Sequence, residues 1–275
     1  MLGYALALIP LYFFIYLPVS SMLHGTAQNP SDRDIVNFNF NVSSIASDEP
    51  LSCPPHSYTT HILSHEPLII YIENFLSADE SAHLLKISED KFEASTVSTG
   101  TETSVQKDIR FSEVAVIDRD DVVRCIEHRA RAFQGWNPDL HIERLRTQRY
   151  AVGGHYKHHY DWSGASRVAD RVSTFMVYVD AECEGGGTNF PRIRMPDVKE
   201  GRWCELLECH EVAGNENRGP KLGVTFKPIT GNAVFWHNLA ANGRGYEETY
   251  HAGLPILSGH KVGLNIWSWG SRRMG

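Results

Sequence analysis

The hydrophobic residues of this chain repeat with two different periods. Before about Leu140 apolar residues recur at helical spacing in two segments, and beyond it short runs of β-branched and aromatic residues alternate with turn residues. The first part also contains PLIIYIENF, which predicts a strand from Leu68 to Ile72. The pattern therefore predicts two helices followed by an all-β half.

Both predicted helices carry end signals. Ser77 stands three residues before Glu80, which is the capping-box pattern that begins a helix. The second helix is predicted from about Asp121 to Gln134, with Gly135 as its stop. Cys125 on this helix is interpreted as a packing residue, because it has no partner at metal-ligand spacing.

The β half consists of short runs separated by Gly, Pro and Asn clusters. A parallel α/β sheet would need a helix between successive strands, so the pattern favours a mainly β fold with flanking helices and a double-stranded β-helix core of the jelly-roll or cupin-like type. The stretch 191–221 is predicted to be a long irregular loop, typical of a lid or binding loop. The predicted strands lie in HIERLRTQRYAV, RVSTFMVYVD, KLGVTFKP, NAVFWHN, EETYHAG and KVGLNIWSW.

The N-terminus predicts a membrane-directed segment. Residues 1–24 are apolar and carry no acidic or basic side chain except His24, so they are interpreted as a signal peptide or an N-terminal membrane anchor. Residues 25–60 form a predicted linker that contains the glycosylation sequon Asn41-Val42-Ser43, and 61–275 the functional domain. These features predict that the protein enters the secretory pathway and that its domain faces the lumen of the endoplasmic reticulum. The protein would be secreted if the N-terminal segment is cleaved.

Charge and cysteine content narrow the classes of function. The net charge of −7 comes without a basic stripe, which argues against a nucleic-acid partner. The five cysteines form no CxxC pair, so a structural zinc ribbon is not expected. In an oxidising lumen Cys204 and Cys209 are the nearest candidates for a disulfide, and two partly buried free thiols are the alternative.

The segment HYKHHYDW, residues 155–162, contains the candidate metal ligands. His159 and Asp161 form an H-x-D step, whose side chains point to one face of an extended strand. His251 lies 90 residues beyond Asp161, at the end of another predicted strand that a jelly roll can bring opposite. Two histidines and one carboxylate with open positions are the arrangement of non-haem Fe(II) oxygenases.

Lys261 strengthens this hypothesis. It stands on an alternating strand ten residues after His251, where an inward ammonium would be a costly unpaired charge. Such a lysine is useful if a carboxylate arrives with a co-substrate. The alternative is a lysine that faces solvent at the start of a strand.

The order of these elements resembles the prolyl 4-hydroxylase branch of the 2-oxoglutarate and Fe(II)-dependent dioxygenases. The resemblance covers about residues 67–269 and rests on RYAVGGHYKHHYDW, STFMVYVDAECEGGGTNFP, GVTFKPITGNAVFWHN and HAGLPILSGHKVGLNIW. It implies that His159, Asp161 and His251 bind Fe(II), with 2-oxoglutarate, O₂ and ascorbate as the other cofactors. His155 and His158 stand where the family uses no metal ligand.

The same resemblance implies the co-substrate contacts. Lys261 would pair with the distal carboxylate of 2-oxoglutarate, Tyr150 would hydrogen-bond to it, and Thr188 and Trp267 would line the same region. Arg167 and Arg171 follow the metal strand and are interpreted as surface arginines, with substrate contact as the alternative.

The substrate stays open at this stage. A secretory address favours a prolyl residue in an extended, polyproline-like peptide. The short N-terminal region departs from the collagen-type enzymes, which puts collagen-like substrates and a disulfide-isomerase partner in doubt. A small molecule or biosynthetic peptide is the alternative substrate, a zinc hydrolase or non-redox metal-binding β-roll is the alternative of another class, and the oligomeric state stays unknown.

Overall fold

The fold is a pair of facing antiparallel sheets with helices packed on the outside of the larger one. The computed structural model describes residues 51–98, 103–164, 166, 168–196, 202–209 and 222–272. The predicted signal or anchor segment, the sequon at Asn41 and Arg167 lie outside these residues. No helix among the described residues has the length and hydropathy needed to cross a membrane.

Two sheets carry most of the strands. In the described residues the larger sheet has nine strands, in the order β1-β2-β14-β11-β16-β9-β7-β3 with β8 paired to β16, and the smaller has five, in the order β13-β12-β15-β10-β6. A separate hairpin joins β4 to β5. The strands are β1 Thr59–His65, β2 Leu68–Glu73, β3 Glu93–Ala94, β4 Val97–Ser98, β5 Thr103–Ser104, β6 Arg110–Phe111, β7 Glu113–Val116, β8 His141–Ile142, β9 Arg146–Tyr150, β10 His155–His159, β11 Ala169–Gly185, β12 Thr188–Arg194, β13 Leu222–Phe226, β14 Ala233–His237, β15 His251–Gly253 and β16 Ile256–Ser271.

The two predicted helices are present. Helix α1 spans Ala78–Ser88, and its capping box is complete because the Glu80 amide donates to the Ser77 hydroxyl while the Ser77 amide donates to the Glu80 carboxylate. Helix α2 spans Asp121–Phe133 and ends before Gly135, whose φ of +72° suits glycine. A short third helix, α3, spans Trp203–Leu206.

Alternation along the strands divides the interior into two layers. On β16, Val262, Leu264 and Ile266 face the helices, and they belong to a core that also contains Phe75, Leu84, Ile126 and Phe175. The opposite face of the larger sheet meets the smaller sheet, where Tyr178, Phe190 and Trp236 form a second core. Lys261 alternates with Val262 and is buried on this inter-sheet face, so the prediction of an inward lysine is confirmed.

Three sequence predictions about strands are corrected. In EETYHAG only His251–Gly253 is a strand, because Glu247–Thr249 forms a 3₁₀ turn in which the Thr249 hydroxyl donates to the Tyr246 carbonyl. The stretch 191–221 is not wholly irregular, since β12 continues to Arg194 and α3 follows it. Pro191 is tolerated there because the pairing with β13 is irregular between Phe190 and Arg194.

The third correction concerns HIERLRTQRYAV, which divides into β8 and β9 instead of one strand. Residues 143–145 separate them, and there the Glu143 amide donates to the Trp267 carbonyl while the Leu145 carbonyl accepts from Ile117. The edge strand β1 was not predicted, since its sequence TTHILSH is mostly polar or half-exposed and follows two prolines.

Two disulfides brace the described chain. Cys204 is bonded to Cys209, which confirms the predicted pair. Cys125 is bonded to Cys53, so it joins α2 to residues within the predicted linker in addition to packing. Cys183 is free.

Candidate active site

The pairing of β10 with β15 brings the candidate ligands together. His159 lies directly opposite His251 in the register, and the pairing is irregular between Tyr156 and His159. This bulge lets both Tyr156 and His159 face inward, with their rings stacked at 3.7 Å between centroids. Two residues further, Asp161 follows the end of the strand and is 7% exposed.

The three predicted donors form one cluster. His159 Nε2 lies 3.7 Å from Asp161 Oδ1, and His251 Nε2 lies 3.9 Å from Asp161 Oδ2. One candidate ligand atom from each residue lies within 4.8 Å of the others. The spacing suits donors that surround a single ion, so the structure brings together the residues singled out in the sequence.

Backbone carbonyls orient both imidazoles. His159 Nδ1 bonds to the Lys157 carbonyl and His251 Nδ1 to the Thr249 carbonyl, each at 2.8 Å. A carbonyl accepts only, so each Nδ1 carries the proton and each Nε2 presents its lone pair to the cluster. Burial lowers the pKa of His159 to about 3, which keeps the ring neutral and fit to ligate.

Asp161 is held as a carboxylate. Burial by itself would raise the pKa of its carboxyl group, but the facing imidazoles, Arg171 and a hydrogen bond from Thr174 together hold that pKa below its ordinary value. The Thr174 hydroxyl donates to Asp161 Oδ2 at 2.8 Å. The donor set is therefore two imidazoles and one carboxylate, which suits a divalent metal.

Lys261 lies deeper on the same inter-sheet face. It pairs with Tyr150 across β16 and β9, its Nζ lies 4.9 Å from the centre of that ring, and it donates to the Gly186 carbonyl. The side chain is 1% exposed, and burial lowers its pKa to about 8. Among the described residues no carboxylate forms an ion pair with Lys261, so a bound anion would supply the missing counter-charge.

A narrow cavity joins the lysine to the metal ligands. Its lining includes Tyr150, Thr188, Met176, His159 and Lys261. Its free volume of about 30 Å³ is that of roughly one water molecule.

The remaining predicted site residues occupy two places. Thr188 is buried and accepts a hydrogen bond from the Tyr178 hydroxyl at 2.8 Å. Trp267 lies beyond the cavity lining, opposite Thr174 in the register and so on the Asp161 side. Its buried Nε1 has no hydrogen-bond partner within the described chain, which leaves a donor for a bound molecule.

Arg171 is more than a surface arginine. Its guanidinium lies 3.8 Å from the centre of the Trp267 ring and pairs with Glu143, at 2.5 Å from Nε to Oε1. Its Nη1 also lies 3.4 Å from the Asp161 carbonyl. It therefore belongs to the wall of the site.

The other two histidines of the crowded segment stay apart from the cluster. His158 bonds to Asn189 Oδ1 at 2.9 Å and stacks on Tyr250, and His155 bonds to the Gly153 carbonyl at 2.9 Å. Only His159 of the three lines the cluster. Alternation from the inward His159 turns His158 outward, and the bulge takes His155 off the face that His159 occupies.

The site contains residues that sequence reasoning missed. Tyr156, Thr174, Trp236 and Asn238 contact the metal donors or one another, yet none belongs to a ligand motif. A signal was available for Thr174, because in STFMVYVD it alternates with Met176 and Tyr178 on one face of the strand.

The comparison with known families decides the class. The sequence model of the 2OG-Fe(II) oxygenase superfamily matches residues 145–269, a stretch that contains the three donors and Lys261. This match supports placing the chain with the 2-oxoglutarate and Fe(II)-dependent oxygenase superfamily. Its cofactors are accordingly Fe(II), 2-oxoglutarate and O₂, with ascorbate typical of the class.

Relatives of this oxygenase include prolyl 4-hydroxylases. It is 28% identical over 216 residues to probable prolyl 4-hydroxylase 3 of Arabidopsis thaliana, covering 76% of this chain and 71% of that protein. It is 28% identical over 212 residues to prolyl 4-hydroxylase subunit alpha-3 of Mus musculus, covering 73% of this chain and 33% of that subunit.

A solved structure agrees. The viral collagen prolyl hydroxylase of Paramecium Bursaria Chlorella virus-1, in its 2OG complex, is 25% identical with a TM-score of 0.52, over 74% of this chain and 96% of that one. Together these relatives support the prolyl 4-hydroxylase branch of the superfamily.

The residues present fit the cofactors. The oriented imidazoles and the buried carboxylate suit Fe(II), and the buried Lys261 ammonium without a carboxylate suits a co-substrate that brings one.

Proposed function

We propose that this oxygenase hydroxylates prolyl residues at C4 in an extended, polyproline-like segment of a peptide or protein. The named relatives support this substrate class. Arg171 and Trp267 support it as well, because they offer hydrogen-bond donors and an aromatic face beside the metal donors. Such groups suit the carbonyls and rings of a proline-rich chain.

In this proposal His159, Asp161 and His251 hold Fe(II), and Lys261 pairs with the distal carboxylate of 2-oxoglutarate. Tyr150 and Thr188 line the space between them and orient that carboxylate. When bound, iron would support an oxidation in which O₂, 2-oxoglutarate and a C–H bond are converted to a C–OH group, succinate and CO₂.

The chain's own residues prepare the site for this chemistry. The carbonyls of Lys157 and Thr249 fix the imidazole protons on Nδ1. Phe190 and Trp236 pack on the His251 ring, with centroids 5.3 and 4.8 Å away, and exclude water from that side. The side chain of His159 is the most exposed of the three, at 20%, so substrate approaches on its side.

Lys261 is the observation that carries the proposal. A zinc hydrolase or a non-redox β-roll could use the same three donors, but neither would need a buried ammonium with no carboxylate beside it. A co-substrate with a distal carboxylate supplies the missing anion.

The secretory address belongs to this proposal. Two disulfides and the sequon at Asn41 are features of chains that fold in an oxidising lumen. Membrane anchorage through residues 1–24 follows if that segment is not cleaved. A small molecule or biosynthetic peptide is the alternative substrate of the same reaction.

The test follows succinate and product together. The full chain is given Fe(II), ascorbate and 2-oxoglutarate under air, with a proline-rich peptide or the same peptide with alanine at proline positions. We expect succinate to rise with the proline peptide alone, and mass spectrometry to find an added oxygen on proline. His159→Ala should abolish both signals, whereas His158→Ala, a neighbouring histidine that faces away, should retain them.

Two outcomes contradict the proposal. Succinate without any proline-dependent increase would favour the small-molecule substrate. An absence of succinate from a protein that binds zinc in preference to iron would overturn the oxygenase reaction itself.

A further inference from the structure

The Asp161 carboxylate stands at the end of a buried hydrogen-bond relay. Trp236 Nε1 donates to Asn238 Oδ1 at 2.8 Å, and Asn238 Nδ2 donates to Thr174 Oγ1 at 2.9 Å. Thr174 Oγ1 then donates to Asp161 Oδ2 at 2.8 Å. Trp236 is 1% exposed and Thr174 and Asn238 are 0% exposed, so water does not compete for these bonds.

The chemistry of the groups determines the direction of the relay. An indole N–H can only donate, so the amide oxygen of Asn238 must face Trp236 and its NH₂ group must face Thr174. The Thr174 oxygen therefore accepts from Asn238. Its single hydrogen is left for Asp161, whose ionised carboxylate is the acceptor that completes the relay.

This direction distinguishes the two oxygens of Asp161. Oδ2 is engaged by the Thr174 hydroxyl, whereas Oδ1 lies 3.7 Å from His159 Nε2 and has no comparable donor among the described residues. A carboxylate with one oxygen held in this way offers its other oxygen to a metal.

The relay also reaches a second metal donor. The Trp236 ring meets the His251 ring edge-on, at 4.8 Å between centroids and an interplanar angle of 63°. One indole thus braces His251 through its ring and Asp161 through its N–H. Two of the three donors are positioned from the same residue of β14.

We propose that Thr174 is a positioning residue that makes Asp161 a one-oxygen metal ligand, and that Asn238 and Trp236 hold it in that role. The inference rests on the proposed function, since it takes Asp161 as an iron ligand. Without the relay the carboxylate would be free to rotate and would offer both of its oxygens to the metal.

A merely structural relay would have a different consequence. If Thr174 only stabilised the fold, removing its buried hydroxyl would lower the free energy of unfolding and leave the metal affinity unchanged. Thr147 provides a matched control, because it is equally buried on β9 and donates to Ser88 at 2.8 Å without contacting a metal donor. Thr174→Val and Thr147→Val each remove one hydroxyl from a fully buried position on a strand.

The experiment measures metal binding by the metal-free full chain, with Co(II) as the probe. Visible absorption of Co(II) reports both its dissociation constant and its ligand geometry. We expect Thr174→Val to weaken binding about ten- to a hundredfold and to change the spectrum, while Thr147→Val binds like the unsubstituted chain. Thr174→Ser keeps the hydroxyl and should restore both the dissociation constant and the spectrum.

The remaining outcomes are also decisive. If Thr174→Val folds and binds Co(II) with unchanged affinity and spectrum, the positioning role is wrong. If that variant does not fold, Trp236→Phe takes its place, since it removes the N–H donor of the relay and retains an aromatic ring at this position. An unchanged spectrum in Trp236→Phe would overturn the relay.

One further variant separates the relay from the site itself. His159→Ala should lose Co(II) whether or not the relay matters. If His159→Ala still binds the metal at this site, the proposed function fails. If it loses the metal while both relay variants keep it, the proposed function stands and only the relay fails.

Discussion

Replacing Lys261 with methionine should make the protein more stable and less able to bind 2-oxoglutarate. Methionine matches the length of the side chain and removes the charge. Burial lowers the pKa of Lys261 from 10.5 to about 8, which corresponds to roughly 3 kcal/mol at about 1.4 kcal/mol for each tenfold change in protonation. The lost hydrogen bond to the Gly186 carbonyl offsets about 1 kcal/mol. We therefore expect the free energy of unfolding at pH 7, without co-substrate, to rise by about 1–2 kcal/mol.

The same change removes the cation that the co-substrate needs. Deleting one partner of a buried charge pair costs at least about 2 kcal/mol of binding free energy. The dissociation constant for 2-oxoglutarate should therefore rise by about 30-fold or more. Calorimetric titration of the metal-loaded protein measures this constant, and denaturant unfolding measures the stability.

The effect of pH follows from the direction of the shift. Lys261 binds its proton less tightly in the folded state than in the unfolded state. Between about pH 8 and 10.4 the unfolded state holds more protons, so stability rises with pH across that window. The advantage of Lys261→Met should thus be largest below about pH 8, shrink as the pH rises through this window, and vanish only above it. In the unsubstituted protein, 2-oxoglutarate should bind about tenfold more weakly at pH 9 than at pH 7, because only about a tenth of the free lysine is still charged.

An exposed lysine provides the control. Lys91 pairs with Asp118 at the surface, and Lys91→Met should change stability by no more than about 1 kcal/mol and leave 2-oxoglutarate binding unaltered. A Lys261→Met protein that is less stable, or that binds 2-oxoglutarate as tightly as the unsubstituted protein does, would refute this role of Lys261.

Three further substitutions test residues that stabilise the fold outside the metal donors. Replacing both Cys53 and Cys125 with serine should cost about 2–5 kcal/mol, since their disulfide closes a 72-residue separation; thermal unfolding without reductant measures it, and an unchanged midpoint would contradict it. Gly245→Ala should cost about 1–3 kcal/mol, because a Cβ there would lie 2.3 Å from the Trp162 ring; a variant of normal stability would show that the ring can shift. Ser77→Ala should cost about 1 kcal/mol by removing the cap of α1, and denaturant unfolding that gives no loss would refute the role of the cap.

The helices could be predicted because their end signals are local. The capping box of Ser77 and Glu80 and the glycine after α2 act within a few residues of each helix end. Strand partners are not local in this sense. The edge strand β1 and the disulfide between Cys53 and Cys125 depend on chain segments that meet only after folding, and no residue in either segment indicates its partner.

The metal donors could be predicted by residue type, but their arrangement could not. H-x-D alternation explains how His159 and Asp161 share a face, while His251 needed the topology of the smaller sheet to lie opposite. The bulge in β10 breaks the alternation, and it is this irregularity that turns Tyr156 inward beside His159. Simple period-two counting would have assigned Tyr156 to the wrong face.

One alternating strand, β16, contributes one face to the hydrophobic core and the other face to the candidate active site. Along β16, Val262, Leu264 and Ile266 pack under the helices. The residues that alternate with them, including Lys261 and Trp267, face the smaller sheet. A register slip of one residue would bury an apolar row beside the metal donors and drive the ammonium into the helix-covered core. The hydrophobic core on one face therefore fixes the register that positions Lys261 on the other face. The buried charge of Lys261 is retained because a one-residue slip would take apolar side chains out of the core.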